Sequence, residues 1–160
     1  MVIVLMGVSG SGKTTIGIRL ADELGWKFYD GDDFHPRANV EKMARGEPLD
    51  DDDRAPWLES LRDLIRSCLA RGESAVLACS ALKRSYREYL LIDENVKLVY
   101  LKGDYELIEE RLEGRSEHFM KPKMLDSQFD ALEEPRRGLT VDISLPPEKI
   151  IETIRSRFGM

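Results

Sequence analysis

The chain has 160 residues, of which 42% are hydrophobic and 34% charged, and a formal net charge of −6. That length and balance suit one domain spanning 1–160 with a core of its own. The acidic excess argues against nucleic acid or an anionic membrane as the main partner, so any anionic ligand must be met by local clusters of Lys and Arg.

Val2 to Met6 is a continuous apolar run closed by Gly7, the pattern of a strand buried on both faces. It is too short for a membrane span and lacks the basic flank of a signal peptide, which makes a cytoplasmic protein the expectation. A helix is predicted over Lys13 to Leu24, where Ile16, Leu20, Ala21 and Leu24 keep helical spacing and Gly25 gives the stop. Trp26 to Tyr29 reads as a second strand ending at Asp30. The next helix is predicted over Asp53 to Arg71, with Pro56 in its first turn, one apolar face running from Trp57 to Leu69, and Gly72 as its end.

Ala75 to Cys79 reads as a third strand and Lys83 to Leu91 as a helix. Val96 to Leu101 is a fourth strand, followed by a helix from Asp104 to Glu113 that stops at Gly114. Pro122 to Leu132 is predicted helical and Leu139 to Ile143 a fifth strand. Pro146 and Pro147 introduce a last helix carrying Ile150, Ile151, Ile154 and Phe158. Strands alternating with helices predict an α/β fold: a five-stranded parallel sheet with helices on both faces and chemistry at the carboxyl ends of the strands. Cys68 and Cys79 fall in apolar stretches without zinc spacing and read as buried thiols in a reducing compartment.

Gly7-Val8-Ser9-Gly10-Ser11-Gly12-Lys13-Thr14 fits G-x-x-x-x-G-K-[ST] between a buried strand and a helix. Glycines let backbone N–H groups turn inward onto phosphate oxygens, and the helix after them points its positive end the same way. Lys13 is expected to reach the β- and γ-phosphates of ATP, and Thr14 to ligate magnesium. Thr15 reads as a helix residue near the nucleotide.

The second strand runs into Asp30-Gly31-Asp32-Asp33-Phe34-His35-Pro36. A carboxylate there either orients or deprotonates an acceptor hydroxyl, or holds the magnesium shell. Asp32 is assigned to the first task and Asp30 to the second; the alternative is an Asp-rich turn that caps the next helix. His35 is a candidate acceptor contact. Arg54, Lys83 and Arg87 are candidates for a carboxylate on the acceptor, because Arg makes paired hydrogen bonds to carboxylates. Arg111 and Arg115 introduce a segment containing His118. Residues 114–124 read as a mobile lid, with the two arginines bringing charge onto the transferring phosphoryl group, Arg115 also touching the nucleotide, and His118 facing the acceptor. The competing account of each Arg is ordinary positive charge near a helix end.

Together these residues resemble one family, gluconate kinase (gluconokinase) of the P-loop type. Beyond the phosphate loop the resemblance rests on DGDDFHP at 30–36, KMARGEPLDDDDRAPWL at 42–58, CSALKRSYRE at 79–88, YLKG at 100–103, HFM at 118–120, SQF at 127–129 and LEEP at 132–135. It implies phosphorylation of D-gluconate at the 6-hydroxyl with ATP and Mg²⁺, a fold like that of nucleoside monophosphate kinases and shikimate kinase, and a homodimer. The chain departs from the family pattern at Lys121, where many members carry Pro. Two alternatives remain at this point: another small-molecule P-loop kinase such as shikimate kinase, or a non-enzymatic nucleotide-binding switch. Ser80-Ala81-Leu82-Lys83, in place of a Gly-rich turn after the third strand, argues against shikimate kinase.

Overall fold

A computed structural model describes residues 1–114 and 122–160; Arg115, His118, Lys121 and the middle of the expected lid lie outside the described residues. Five parallel strands form the sheet: β1 (Val2–Met6), β2 (Lys27–Asp30), β3 (Ala75–Ala78), β4 (Val96–Lys102) and β5 (Leu139–Asp142), in the order β2-β3-β1-β4-β5. β1 lies at the centre, with Leu5 opposite Ala78 on one side and Met6 opposite Tyr100 on the other. It is buried along its whole length, as its unbroken apolar run requires.

Among the described residues there are seven helices: α1 (Lys13–Leu24), α2 (Arg37–Ala44), α3 (Asp51–Ala70), α4 (Arg84–Leu90), α5 (Tyr105–Glu113), α6 (Pro122–Ala131) and α7 (Pro147–Phe158). The two-residue alternation of β1 divides the interior between two layers. Ile3 and Leu5 pack with Ile16 and Leu20 of α1, Ile108 of α5 and Ile154 of α7. Val2, Val4 and Met6 pack with Trp57, Leu61 and Ile65 of α3 and Leu90 of α4. The expected α/β sandwich of helices on both sheet faces is what forms. Among the described residues, no helix is long and apolar enough to cross a membrane. Both cysteines are buried and free.

Two local expectations differ from the structure. The sequence pattern does not predict α2, because its eight residues carry little apolar periodicity. α3 begins at Asp51 rather than Asp53, because Asp50 and Asp53 form a capping box, each side chain accepting the other's backbone N–H at 2.8 and 2.9 Å. Pro56 therefore lies in the second turn of α3, not the first. Its ring leaves the Asp52 carbonyl without an intrahelical donor, and both residues are exposed, so water can take that role.

Candidate active site

The phosphate loop leaves the central strand and returns as α1. Gly10 and Gly12 hold φ of 83° and 93°, a backbone region that side chains with a Cβ rarely enter. Lys13 folds back over the loop, donating to the carbonyls of Gly7 and Val8 at 2.9 and 3.0 Å. Burial lowers its pKa, opposed by the charges of Asp32, Cys79 and Asp30. Ser11 Oγ is buried without a hydrogen-bond partner among the described residues. A glycine cradle, an inward ammonium and an orphaned hydroxyl fit a polyphosphate.

Beside Ser11 and Gly12 opens a cavity of about 310 Å³ lined by Thr15, Arg111, Ile143, Leu145 and Ile150 among others. Arg111 closes one wall, donating to the Ile143 carbonyl at 2.7 Å. Its apolar side chains next to the phosphate loop suit a planar base.

Across the loop, β2 delivers the acidic corner. Thr14 Oγ1 donates to Asp30 Oδ2 at 3.3 Å, while Asp30 Oδ1 accepts the backbone N–H of Asp32 at 3.0 Å. Asp30 thus caps the 3-10 turn Gly31–Phe34, in keeping with the capping alternative, and also faces Thr14. A hydroxyl and a single carboxylate are the protein share of a magnesium site in which phosphate oxygens and water complete the shell. Burial raises the pKa of Asp32, which the nearby Lys13 charge opposes.

The turn itself is pinned. A Cβ at Gly31 would meet the Ala78 carbonyl at 2.7 Å, and the Gly31 carbonyl accepts the indole N–H of buried Trp57 at 2.7 Å. Trp57 also stacks on His35, ring centroids 4.4 Å apart and 12° from parallel.

The candidate acceptor cations divide into three situations. Arg54 Nη1 donates to the Tyr86 hydroxyl at 3.2 Å, and its guanidinium lies over the Tyr86 ring at 5.5 Å; among the described residues this is its only side-chain hydrogen bond. Lys83 is tied to Asp51 at 2.9 Å, and Asp51 also accepts the Tyr86 hydroxyl in a very short bond. Arg87 is buried, and its Nη1 donates to the carbonyls of Ala81 and Leu82 at 2.9 and 3.0 Å. Ala81 takes φ 43°, the left-handed turn that a glycine would ordinarily fill. Arg87 thus braces the turn after β3 from inside through its Nη1.

Sequence reasoning misses four contributors. Tyr86 lies one turn beyond Lys83 on α4. Trp57 reads from its spacing only as core. Asn39 belongs to the unexpected helix α2. Gln128 of α6 accepts the Ser9 N–H at 2.7 Å and donates to Ser9 Oγ at 3.1 Å, clamping the phosphate loop from outside. Its place in the SQF segment is the signal available for it. Cys79, behind Lys13, has its thiol pushed up to about 12 by burial, so it stays an inert thiol.

The chain matches the shikimate kinase family over residues 9–154. It is 46% identical over 155 residues to the thermoresistant gluconokinase of Escherichia coli K12, covering 94% of this chain and 89% of that protein. An unliganded sugar kinase from Janibacter sp. HTCC2649 superposes with a TM-score of 0.90 at 43% identity, over 97% of this chain and 92% of the other. A gluconokinase from Sinorhizobium meliloti 1021 gives 0.85 at 42%, over 94% and 86%. The shikimate kinase match covers the shared fold, whereas identity above 40% over nearly the whole chain attaches to gluconokinases. The chain belongs to the shikimate kinase family of P-loop kinases and, among these, to the gluconokinases.

Proposed function

We propose that this chain transfers the γ-phosphoryl group of ATP to the 6-hydroxyl of D-gluconate, giving ADP and 6-phospho-D-gluconate. The observation that carries the direction of transfer is the acidic corner facing the phosphate loop: Asp32 lies close enough to Lys13 for their charges to shift each other's titration. The loop N–H groups and Lys13 hold the phosphates. Asp32 orients the acceptor hydroxyl and takes its proton as the new P–O bond forms and the bond to the ADP oxygen breaks, with the electron pair leaving on ADP. Arg54 meets the gluconate carboxylate, having more of its fork uncommitted than Arg87. Lys83 supports that wall through Asp51.

Thr14 and Asp30 fit a magnesium ion, which when bound neutralises charge on the β- and γ-phosphates. Arg111 from the last turn of α5 and Arg115 from the lid at 114–124 add cationic charge at the transferring group, and His118 serves the acceptor. The same reading makes the enzyme a cytoplasmic homodimer.

One assay tests it: ADP release measured with gluconate, shikimate or nucleoside monophosphates as acceptor. Turnover is expected with gluconate alone. Turnover with shikimate and not gluconate would overturn the reading, and firm ATP binding with no turnover on any acceptor would make the chain a nucleotide switch.

A further inference from the structure

His35 sits at the edge of the acidic corner, and its ring is held on two sides. Trp57 covers one face. Asn39, which is 3% exposed, approaches from α2 with its Nδ2 3.2 Å from His35 Nδ1. The same Nδ2 donates to the backbone carbonyl of Asp53 at 2.8 Å. That second bond settles which way the amide faces. A carbonyl oxygen only accepts, so the NH₂ end of Asn39 must point toward Asp53. The other hydrogen of this NH₂ group then points at His35 Nδ1, which must accept it. The ring proton is thereby placed on Nε2.

We propose that Asn39 is a positioning residue that fixes His35 as a neutral Nε2–H donor, and that this donor hydrogen-bonds an uncharged hydroxyl of the acceptor. The second half rests on the gluconate reading above. The surroundings support the neutral form. From α3 the ring meets the Trp57 face and the positive charge of Arg54, and from α2 the uncharged Asn39. From its own turn comes the Asp32 carbonyl, which accepts the His35 backbone N–H at 3.4 Å. Burial, reinforced by Arg54, lowers the ring's pKa to about 4. Among the described residues, no hydrogen bond takes up Nε2. The chemistry of the acceptor asks for this kind of donor: a polyol chain offers several hydroxyl oxygens and only one carboxylate. A protonated imidazole would favour a second anion over a hydroxyl, so holding the ring neutral sharpens selection for a polyol.

The chain has two histidines, His35 and His118, so long-range ¹H–¹⁵N spectra of the imidazoles are readily assigned with a His35→Gln variant. The wild type should show His35 as the neutral Nε2–H tautomer between about pH 5.5 and about pH 8. A ring that carries its proton on Nδ1, or titrates near the ordinary 6.5, would overturn the proposal. Asn39→Asp replaces the donor by an acceptor. It should draw the proton to Nδ1, raise the pKa, and make KM for gluconate rise with pH through the new ionisation.

If Asn39→Asp does not fold, His35 variants still decide the matter. His35→Ala should raise KM for gluconate about tenfold, equivalent to about 1.4 kcal/mol, with KM for ATP unchanged. His35→Gln, whose amide can donate from a similar place, should recover most of that loss. An unchanged gluconate KM in His35→Ala would overturn the contact. If the wild type does not turn over gluconate at all, the acceptor half falls with the reading it rests on, while the spectra still decide the tautomer without any acceptor present.

Discussion

Thr14 and Asp30 meet across 3.3 Å, tying the first turn of α1 to the last residue of β2. The contact crosses the intervening strand β3, since β2 and β1 are each paired to β3 and not to each other. It brings together the two groups that can share a magnesium ion.

Asp30→Asn keeps the oxygen that caps the 3-10 turn and removes the charge. The fold should hold, while the magnesium concentration for half-maximal rate rises by about 10- to 100-fold. Initial rates over a magnesium titration, beside a thermal melt, check both halves. An unchanged magnesium dependence would remove Asp30 from the metal.

Lys13→Ala should lower kcat by about 10²- to 10³-fold, because charge on the transferring oxygens loses its buried partner. Asp32→Asn should cost less if the transition state is loose, since the acceptor proton then leaves late. Parallel measurement of kcat for the two variants compares them; equal losses would give Asp32 a larger share of the chemistry.

Arg87→Met should act on stability before it acts on binding. It leaves the Ala81 carbonyl without the Arg87 donor, at about 1–3 kcal/mol for a buried group left unpaired, while the Leu82 carbonyl keeps the Glu133 backbone N–H at 2.8 Å. At about 2–4 °C per kcal/mol for a chain of this size, Tm should fall by roughly 2–12 °C. A Tm within about 1 °C of the wild type would show that the turn at Ala81 does not depend on this brace.

His35 gives the chain an acid-sensitive term. Its folded pKa of about 4 lies below the ordinary 6.5 of the unfolded ring. Its contribution is thus complete above 6.5 and is lost as pH falls toward 4, because the unfolded chain binds a proton that the folded one refuses. After allowance for solvent at a half-exposed site, about 1–2 kcal/mol is at stake. Urea midpoints should decline across that window in the wild type and decline less in His35→Gln.

The sequence was most legible where one residue type has one physical use. Val2–Met6 and Lys13–Leu24 could be bounded to the residue, because an apolar run between turn signals and a helix closed by Gly25 have few alternatives. The phosphate loop was legible for the same reason. The strand order was not, since nothing local in the Lys27–Asp30 pattern says that it pairs with β3 and not with β1. The bracing by Arg87 was not legible, because an arginine after a strand looks the same whether it serves a ligand, the carbonyls of its own turn, or both. Asp50 and Asp53 look like surface charge, yet each caps the other's backbone, and only their spacing of three hints at it.

The pinning of Gly31 has a consequence for acceptor size. With no room for a side chain against the Ala78 carbonyl, and its own carbonyl held by Trp57, the corner cannot advance toward the phosphate loop or retreat from it. The strands that carry the corner and the loop, β2 and β1, are held two strand spacings apart, about 10 Å between their axes, and side chains such as Thr14 and Asp30 reach across. The gap works as a length gauge. An acceptor is measured against a rigid span rather than fitted by a yielding pocket, so one carbon more or fewer should be felt at the reacting hydroxyl and not absorbed along the chain.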